Sequence, residues 1–307
     1  MEKIYDLIII GGGPGGYSAA LYGARAGLQT LVLEKLSAGG QMALTHQIDN
    51  YPGFPEGVDG FELAEMMQQQ AERFGAVTEY AEVYRADLQG NPKRIETSEG
   101  EFRGRAVIVA TGAGPRELGV PGEKEFIGRG VNYCAACDGM FYKGKTVIVV
   151  GGGNTAAADA MLLSRVAKKV ILVHRRDSLR ATKIYHEPLM KAENVEFAWN
   201  SQVAEILHGA KVTGAVLKDV HSGESRQVDC DGIFVSVGRK PVTEFLAGQL
   251  ELDKGGYILA GESTVTNVPG VFAVGDVRTK FLRQVVTAVA DGAAAVHQAE
   301  EFLAENA

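Results

Sequence analysis

An α/β fold built twice over in one chain, the second copy inserted into the first, is what the sequence predicts. Three observations predict it. A glycine-rich loop follows an apolar strand at the start of the chain, the same pattern returns 140 residues later, and the later halves of the two copies also match.

Ile4 to Ile10 is mostly apolar and β-branched and is bounded by glycine, the pattern of a buried parallel strand. Gly11-Gly-Gly13-Pro14-Gly15-Gly16 follows at once. Tyr17 to Gly27 then reads as an alanine-rich helix and Thr30 to Leu33 as a second strand, with Glu34 at its end. This is a G-x-G-x-x-G loop in its strand–helix–strand setting, with an acid twenty-three residues after the first glycine. Gly11 makes a tight turn, Gly13 lets the backbone approach a pyrophosphate, and Gly16 lets helix and strand pack closely. The helix N-terminus offers amide donors and positive potential to that pyrophosphate, and Glu34 can accept from a ribose. The stretch predicts a Rossmann-like dinucleotide-binding unit.

Asn50 to Gly60 is rich in proline and glycine, and Phe61 to Phe74 carries apolar residues at helical spacing, a core-packing face. Val77 to Leu88 and Lys93 to Phe102 read as antiparallel strands around the turn Gln89-Gly90-Asn91-Pro92. Val195 to Thr213 and Ala215 to Val228 read the same way in the second copy.

In that copy Lys145 to Val150 is the strand, Gly151-Gly-Gly153-Asn154-Thr155-Ala156 the loop, Ala157 to Val166 the helix and Val170 to Val173 the returning strand. The 140-residue shift lays Gly11 on Gly151, Gly13 on Gly153, Gly16 on Ala156 and Glu34 on His174. Ala106–Gly112 with Pro115 likewise matches Gly232–Gly238 with Pro241. Where the first copy has its acid, the second has His174-Arg175-Arg176, with Arg180 further on. A carboxylate there would repel a 2′-phosphate, whereas guanidinium groups bind it with charge-assisted hydrogen bonds. The second unit is therefore expected to prefer NADPH over NADH; the bland alternative is a solvated basic face.

Just before the second loop stands Cys134-Ala135-Ala136-Cys137-Asp138-Gly139. Two cysteines three apart can close a small disulfide that exchanges with other dithiols, and the adjacent carboxyl could hand a proton to a departing thiolate. Structural zinc needs four ligands, yet the only other cysteine is Cys230 and no histidine pair has zinc-finger spacing, so no metal is expected. A structural bridge over two residues would remove little unfolded-state entropy. The C-terminal part holds Gly270-Val-Phe-Ala-Val-Gly275-Asp276, a short strand ending in an acid that can bind ribityl or ribose hydroxyls or simply cap a helix. Arg283-Gln284 and an alanine-rich helix to about Leu303 follow.

A length of 307 residues allows two domains and two cores. The net charge of −7 leaves no basic surplus for nucleic acid or anionic membrane. Gly11 ends the first apolar run too early for a signal peptide or a membrane span, and three cysteines are too few for a secreted disulfide scaffold, so a cytoplasmic setting is expected.

With two such loops, the inserted Cys134-Ala-Ala-Cys137-Asp138, His174-Arg-Arg176 with Arg180, Gly275-Asp276 and Arg283-Gln284, the chain resembles the thioredoxin reductases of the small bacterial type. The resemblance covers essentially all 307 residues. It implies a discontinuous FAD domain, 1–114 and 245–307, with an NADPH domain, 115–244, inserted in it. FAD contacts are then expected from Gly11, Gly13, Pro14, Gly15, Gly16, Glu34, Lys35, Gly40, Gln41, Asn50, Ala110, Thr111, Gly112, Gly275, Asp276, Arg283 and Gln284. NADPH contacts are expected from Gly151, Gly153, Asn154, Thr155, Ala156, His174, Arg175, Arg176 and Arg180. Cys137 matches the sulfur nearest the flavin, Cys134 the one that attacks thioredoxin, and Asp138 the acid/base; family members are homodimers. Ala136 replaces a frequent Thr, Tyr51 a frequent Trp, and Ala158-Asp159 a Glu-Glu pair.

The implied activity is a disulfide reductase: hydride from NADPH to FAD, two electrons to the Cys134–Cys137 pair, and reduction of a protein disulfide by the dithiol. A thiol oxidase working in the opposite direction is one rival, and Arg175, Arg176 and Arg180 argue against it. A nucleotide-sensing protein with vestigial cysteines is the other, and Asp138 argues against that.

Overall fold

In the computed structural model, which describes residues 3–45, 47–246 and 248–306, the apolar runs become strands. The chain opens with β1 (Ile4–Ile10), α1 (Pro14–Arg25), β2 (Thr30–Glu34), α2 (Gly60–Glu72), β3 (Val77–Tyr80), β4 (Val83–Asp87), β5 (Lys93–Thr97), β6 (Gly100–Val109) and β7 (Ala113–Pro115). Then come β8 (Val131–Asn132), α3 (Ala135–Asp138), β9 (Thr146–Val150), α4 (Asn154–Ser164), β10 (Lys169–Val173), α5 (His186–Lys191) and β11 (Val195–Ala198). β12 (Ser201–His208), β13 (Val212–Asp219), β14 (Ser225–Asp229), β15 (Gly232–Val235), β16 (Arg239–Pro241), β17 (Val271–Ala273) and α6 (Val285–Glu305) complete it. Two units result, Met1–Gly114 with Lys240–Ala307, and Pro115–Arg239. β7 and β16, where the chain passes from one to the other, pair with each other.

The first unit is a seven-stranded sheet in the order β3-β2-β1-β6-β5-β4, with β17 also paired to β6. β1, β2, β3, β6 and β17 are parallel. Alternate side chains supply two cores. Leu7, Ile9, Val32, Ala106 and Ile108 pack beneath α1, α2 and α6, while Ile8, Ile10, Leu31, Leu33 and Val107 pack against Leu246, Ile258 and Val271 on the other face. Each such aliphatic side chain, fully buried, contributes roughly 1.5–3 kcal/mol of transfer free energy. The register pairs Ile10 with Leu33 and with Val109, and Val109 with Ala273, so the C-terminal ends of four strands finish level.

The second unit repeats the plan with a five-stranded parallel sheet, β11-β10-β9-β15-β8, and adds a three-stranded antiparallel sheet, β12-β13-β14. Its cores are Ile148, Val150, Ile171, Val173 and Ile233 on one face and Val147, Val149, Val170, Leu172 and Phe234 on the other.

Four expected strands are subdivided, and Ala215 to Val228 is one of them, turning at 220–224 between β13 and β14. Val77 to Leu88 breaks at Ala81-Glu82, where the Ala81 N–H bonds Glu34 O and the Glu82 N–H bonds the Ser98 hydroxyl. β3 consequently lies parallel to β2, and β4 pairs antiparallel with β5. Lys93 to Phe102 breaks at Ser98-Glu99, where the Thr97 hydroxyl accepts from Glu99 N and donates to Gly100 O, and β6 then runs on to Val109. Val195 to Thr213 turns at Asn200, at φ +49°, which leaves β11 in the parallel sheet and starts the antiparallel one at β12. None of these turns contains proline, though Gly100, at φ +121°, follows the Ser98-Glu99 break and Gly223, at φ +76°, lies within 220–224.

Helices α1 and α6 meet through glycine. A Cβ on Gly292 would lie 2.4 Å from Gly15 O and 2.7 Å from Ala19 N, both backbone atoms. Gly292→Ala should therefore push the helices apart and cost about 1–3 kcal/mol, seen as a lowered melting temperature. Gly209→Ala, where nothing lies within 4 Å of the added carbon, is the control and should melt with the parent.

Candidate active site

The first glycine loop leaves the level strand ends. Gly11 has φ +106°, and a Cβ there would lie 2.6 Å from Ala110 O; one on Gly16 would lie 2.0 Å from Gly11 O. Strand, loop and helix are thus in backbone contact. Gly13 is the exception: nothing lies within 4 Å of its added Cβ, and it is the N-cap of α1. Pro14 occupies the first turn, no side chain caps the helix, and no acid stands in its first turn. By contrast α2 is closed by Asp59, which accepts from Phe61 N and Glu62 N. A helix N-terminus left uncapped behind an open glycine suits a pyrophosphate.

Glu34 does more than the sequence suggested. Its carboxylate accepts from Gly12 N at 2.6 Å, Lys35 N at 2.8 Å and Leu36 N at 3.3 Å, bracing the loop before any ribose is considered. The Lys35 ammonium is engaged with Glu82 at 2.6 Å on the surface. Gly40 and Gln41 open a 3-10 helix, Gly40–Leu44, and a Cβ on Gly40 would stand 3.8 Å from the Cα of Gly13. Ala110 continues β6 and donates to Ile10 O at 2.8 Å; the Thr111 hydroxyl donates to Val242 O at 2.7 Å, and Gly112 has φ +68°. Val274 N donates to Val109 O, which carries Gly275-Asp276 to the same sheet edge. Asn50 donates to the Gln284 side chain at 3.0 Å, and Gln284 is the N-cap of α6 in a capping box with Thr287. The Arg283 guanidinium lies 4.1 Å over the Tyr257 ring, and its buried Nε has no partner.

The second loop has the same geometry with different chemistry. Gly151 has φ +146°, and its Cβ would lie 2.4 Å from Ser236 O; Gly153, the N-cap of α4, again has open space and no side-chain cap. Ala156 is buried beneath the loop, and the exposed Asn154 and Thr155 begin the helix. The Asn154 side chain accepts from Thr182 N at 2.7 Å, and Arg180 N donates to Gly152 O at 2.7 Å. His174 is buried against the loop, so close that a Cβ on Gly152 would sit 2.3 Å from its ring. Burial, then Arg180, Arg176 and Arg175, hold its pKa below the usual histidine value, and its Nε2 has no partner. Arg175, Arg176 and Arg180 are exposed, and among the described residues none of them forms an ion pair.

The cysteines stand between β8 and β9, joined by a disulfide with Cα atoms 5.3 Å apart. Cys134 is the N-cap of α3, and its sulfur accepts from Cys137 N at 3.2 Å; both cysteines and Asp138 are half-buried. The residues around them are tied in place. Tyr133 donates to Glu123 at 2.9 Å, and that buried carboxylate also accepts from Leu118 N and Gly119 N at 2.8 and 2.7 Å. Asn132 donates to the Tyr142 hydroxyl at 2.8 Å, and Tyr142 packs edge-on against Phe234. Glu123 was not predicted, since an acid in a proline- and glycine-rich stretch reads as solvent-exposed. Asp159, noted only as a departure from the family, accepts from the Ser236 hydroxyl at 2.5 Å beside the second loop, and burial raises its pKa. Among the described residues no cluster of His, Cys, Asp or Glu could hold a metal, and no helix is long and apolar enough to cross a membrane.

The sequence matches the pyridine nucleotide-disulphide oxidoreductase family over residues 5–292. It is 46% identical over 312 residues to a thioredoxin reductase of Peptoclostridium acidaminophilum, covering 100% of this chain and 99% of the other. The chain belongs to that family, on its thioredoxin reductase branch. A thioredoxin reductase of Streptomyces clavuligerus is 48% identical over 307 residues, with 99% and 95% covered. The crystal structure of thioredoxin reductase from Streptococcus pyogenes matches with a TM-score of 0.90 at 41% identity, covering 99% of this chain and 100% of that one. The Cys134–Cys137 disulfide fits the redox-active pair of a disulfide oxidoreductase.

Two outcomes follow for this site. Neutralising Arg175 and Arg176 to Ala should raise the KM for NADPH roughly tenfold or more, because each charge-assisted hydrogen bond to a phosphate is worth about 1–3 kcal/mol. NADH kinetics should change little; equal weakening of both coenzymes would mean that the arginines only hold the fold. Burial pushes the Cys230 thiol up to about 12, so it is protonated and inaccessible at pH 8. Alkylation of the reduced native protein at that pH should modify Cys134 and Cys137 but reach Cys230 only after denaturation, as read by mass spectrometry.

Proposed function

We propose that the chain is an NADPH-dependent, FAD-containing thioredoxin reductase, working in the cytoplasm as a homodimer and reducing the disulfide of thioredoxin. The observation that carries this reading is the Cys134–Cys137 disulfide on the link from β8 to β9, immediately ahead of the second glycine loop. The first unit, with its open Gly13, Glu34 and the Gly275-Asp276 turn, is the FAD-binding domain. The inserted unit, with its open Gly153 and three exposed arginines, is the NADPH-binding domain. The uncapped helix ends and open glycines support both assignments, because each offers main-chain donors where a pyrophosphate needs them.

Bound FAD would supply what side chains cannot, acceptance of a hydride from the nicotinamide and delivery of an electron pair to a disulfide. The chain's own residues do the rest. Breaking the Cys134–Cys137 bond takes two electrons and one proton and leaves one thiolate and one thiol. The Cys137 N–H, already 3.2 Å from the Cys134 sulfur, favours the thiolate there. Cys134 then attacks the thioredoxin disulfide, forming a mixed disulfide, and the departing sulfur takes its proton from Asp138. Asp138 next accepts the Cys137 proton, Cys137 attacks Cys134, the original bond closes, and the second thioredoxin sulfur leaves as a thiolate that takes its proton from solvent.

The test is spectroscopic. NADPH should bleach the visible flavin band of the purified protein, and oxidised thioredoxin should restore it; reoxidation by oxygen alone would favour the thiol oxidase. In Cys134→Ser and Cys137→Ser, thioredoxin turnover should fall to below about a thousandth of the parent rate, while FAD stays bound and NADPH still bleaches it. Near-parent turnover in either variant would remove the two cysteines from the electron path.

A further inference from the structure

Behind the Gly275-Asp276 turn lies a buried ionic cluster that none of the chemistry above uses. Asp291, on the inner face of α6, accepts from Arg278 Nε at 2.9 Å and Nη2 at 2.6 Å, from Lys280 Nζ at 2.7 Å, and from Gly275 N at 2.8 Å. The side chains of Arg278, Lys280 and Asp291 are only 2%, 5% and 7% exposed. Two cations share one carboxylate, and their other donors are also placed. Arg278 Nη1 reaches Ala260 O at 3.2 Å and Thr279 O at 2.9 Å, and Lys280 reaches Thr287 O at 3.2 Å. Burial alone would raise the Asp291 pKa; Arg278, Lys280 and the Gly275 amide reverse that and hold it below the usual carboxylate value.

A cluster of this kind is a poor device for stability, since well-packed apolar side chains commonly do as well. Unlike apolar packing, it can fix the direction of a backbone group. Gly275 has φ +71° and no side chain to restrain it. Its N–H is held by Asp291, which the Arg278 fork and Lys280 orient in turn. Arg278 O accepts from Arg283 Nη2 at 3.2 Å, so the chain entering α6 is tied to the same cluster.

We propose that Asp291 is a positioning residue for flavin binding, holding the Gly275 amide so that Asp276 is set to receive the ribityl hydroxyls. The assignment rests on the reading of Asp276 as a flavin contact. Asp291 itself does not touch the cofactor, and its effect passes through the turn.

A double-mutant cycle tests this. The dissociation constant of FAD is measured by fluorescence titration of the full chain stripped of flavin, for the parent, Asp276→Ala, Asp291→Asn and the double variant. Each single change should weaken FAD by ~10-fold or more, and the double variant should be within about twofold of Asp276→Ala alone, since residues acting through one another are not additive. If the factors multiply, Asp291 acts by another route and the proposal fails. If Asp291→Asn binds FAD as the parent does while Asp276→Ala is impaired, the proposal alone fails. If Asp276→Ala binds as the parent does, the flavin reading of the turn fails and takes the proposal with it. Should Asp291→Asn not fold, Asp291→Asn/Lys280→Met replaces it in the cycle. That variant removes one charge of each sign, keeps the buried net charge, and is held to the same outcomes.

Discussion

The first unit depends on one backbone contact. The carbonyl oxygen of Gly11 lies where the side chain of Gly16 would begin, so the loop closes back on the first turn of α1 with no atom to spare. That closeness aims the helix N-terminus at the sheet edge where β1, β6 and β17 finish level. Gly15 and Gly292 extend the same economy one layer outward, letting α6 lie against α1. Glu34 then stabilises the loop from below through the Gly12 amide. If the helix moved outward, amide donors, acid and Gly275 turn would no longer face a common point.

The second unit solves the same problem with an alanine in one glycine's place. Ala156 stands in place of Gly16, and its methyl group lies 2.7 Å from where a Cβ on Gly151 would begin, so Gly151 must be bare. The larger difference is beneath the loop. Glu34 braces Gly12 with a charged hydrogen bond, whereas His174 lies flat against Gly152 and leaves its Nε2 without a partner. Where the first loop has a carboxylate beneath it, the second has a neutral ring and, beyond it, exposed guanidinium groups. One backbone plan thus presents opposite electrostatics without any change of topology.

Much of this was legible in the sequence, because glycine loops carry local physics. Positive φ, backbone approach and an open N-cap each demand glycine at a fixed offset, and Gly11, Gly13, Gly151 and Gly153 all occupy those positions. The break at Ala81-Glu82 was not legible, since bonds from the distant Glu34 and Ser98 make it, and the one at Ser98-Glu99 is a local turn closed by the Thr97 hydroxyl without proline. Asp291, Glu123 and Asp159 were missed for a related reason. Asp291 and Asp159 take partners from other elements, which spacing along one segment cannot reveal, while Glu123 folds back on the nearby Leu118 and Gly119 amides in a stretch without periodic pattern. A faint signal did exist for Asp291, an acid set among the alanines and valines of the first half of α6.

The pairing of β7 with β16 has a consequence for how such a protein can change over time. The inserted unit enters and leaves the chain through two neighbouring strands. Everything between them travels as a cassette, both the cysteines and the basic loop that would choose the coenzyme. Recombination at those two points would exchange the cysteines and the basic loop together while leaving the first unit untouched. If the proposed roles of the two units hold, coenzyme choice and partner choice are genetically linked, and a lineage that acquires a new version of one acquires the other with it.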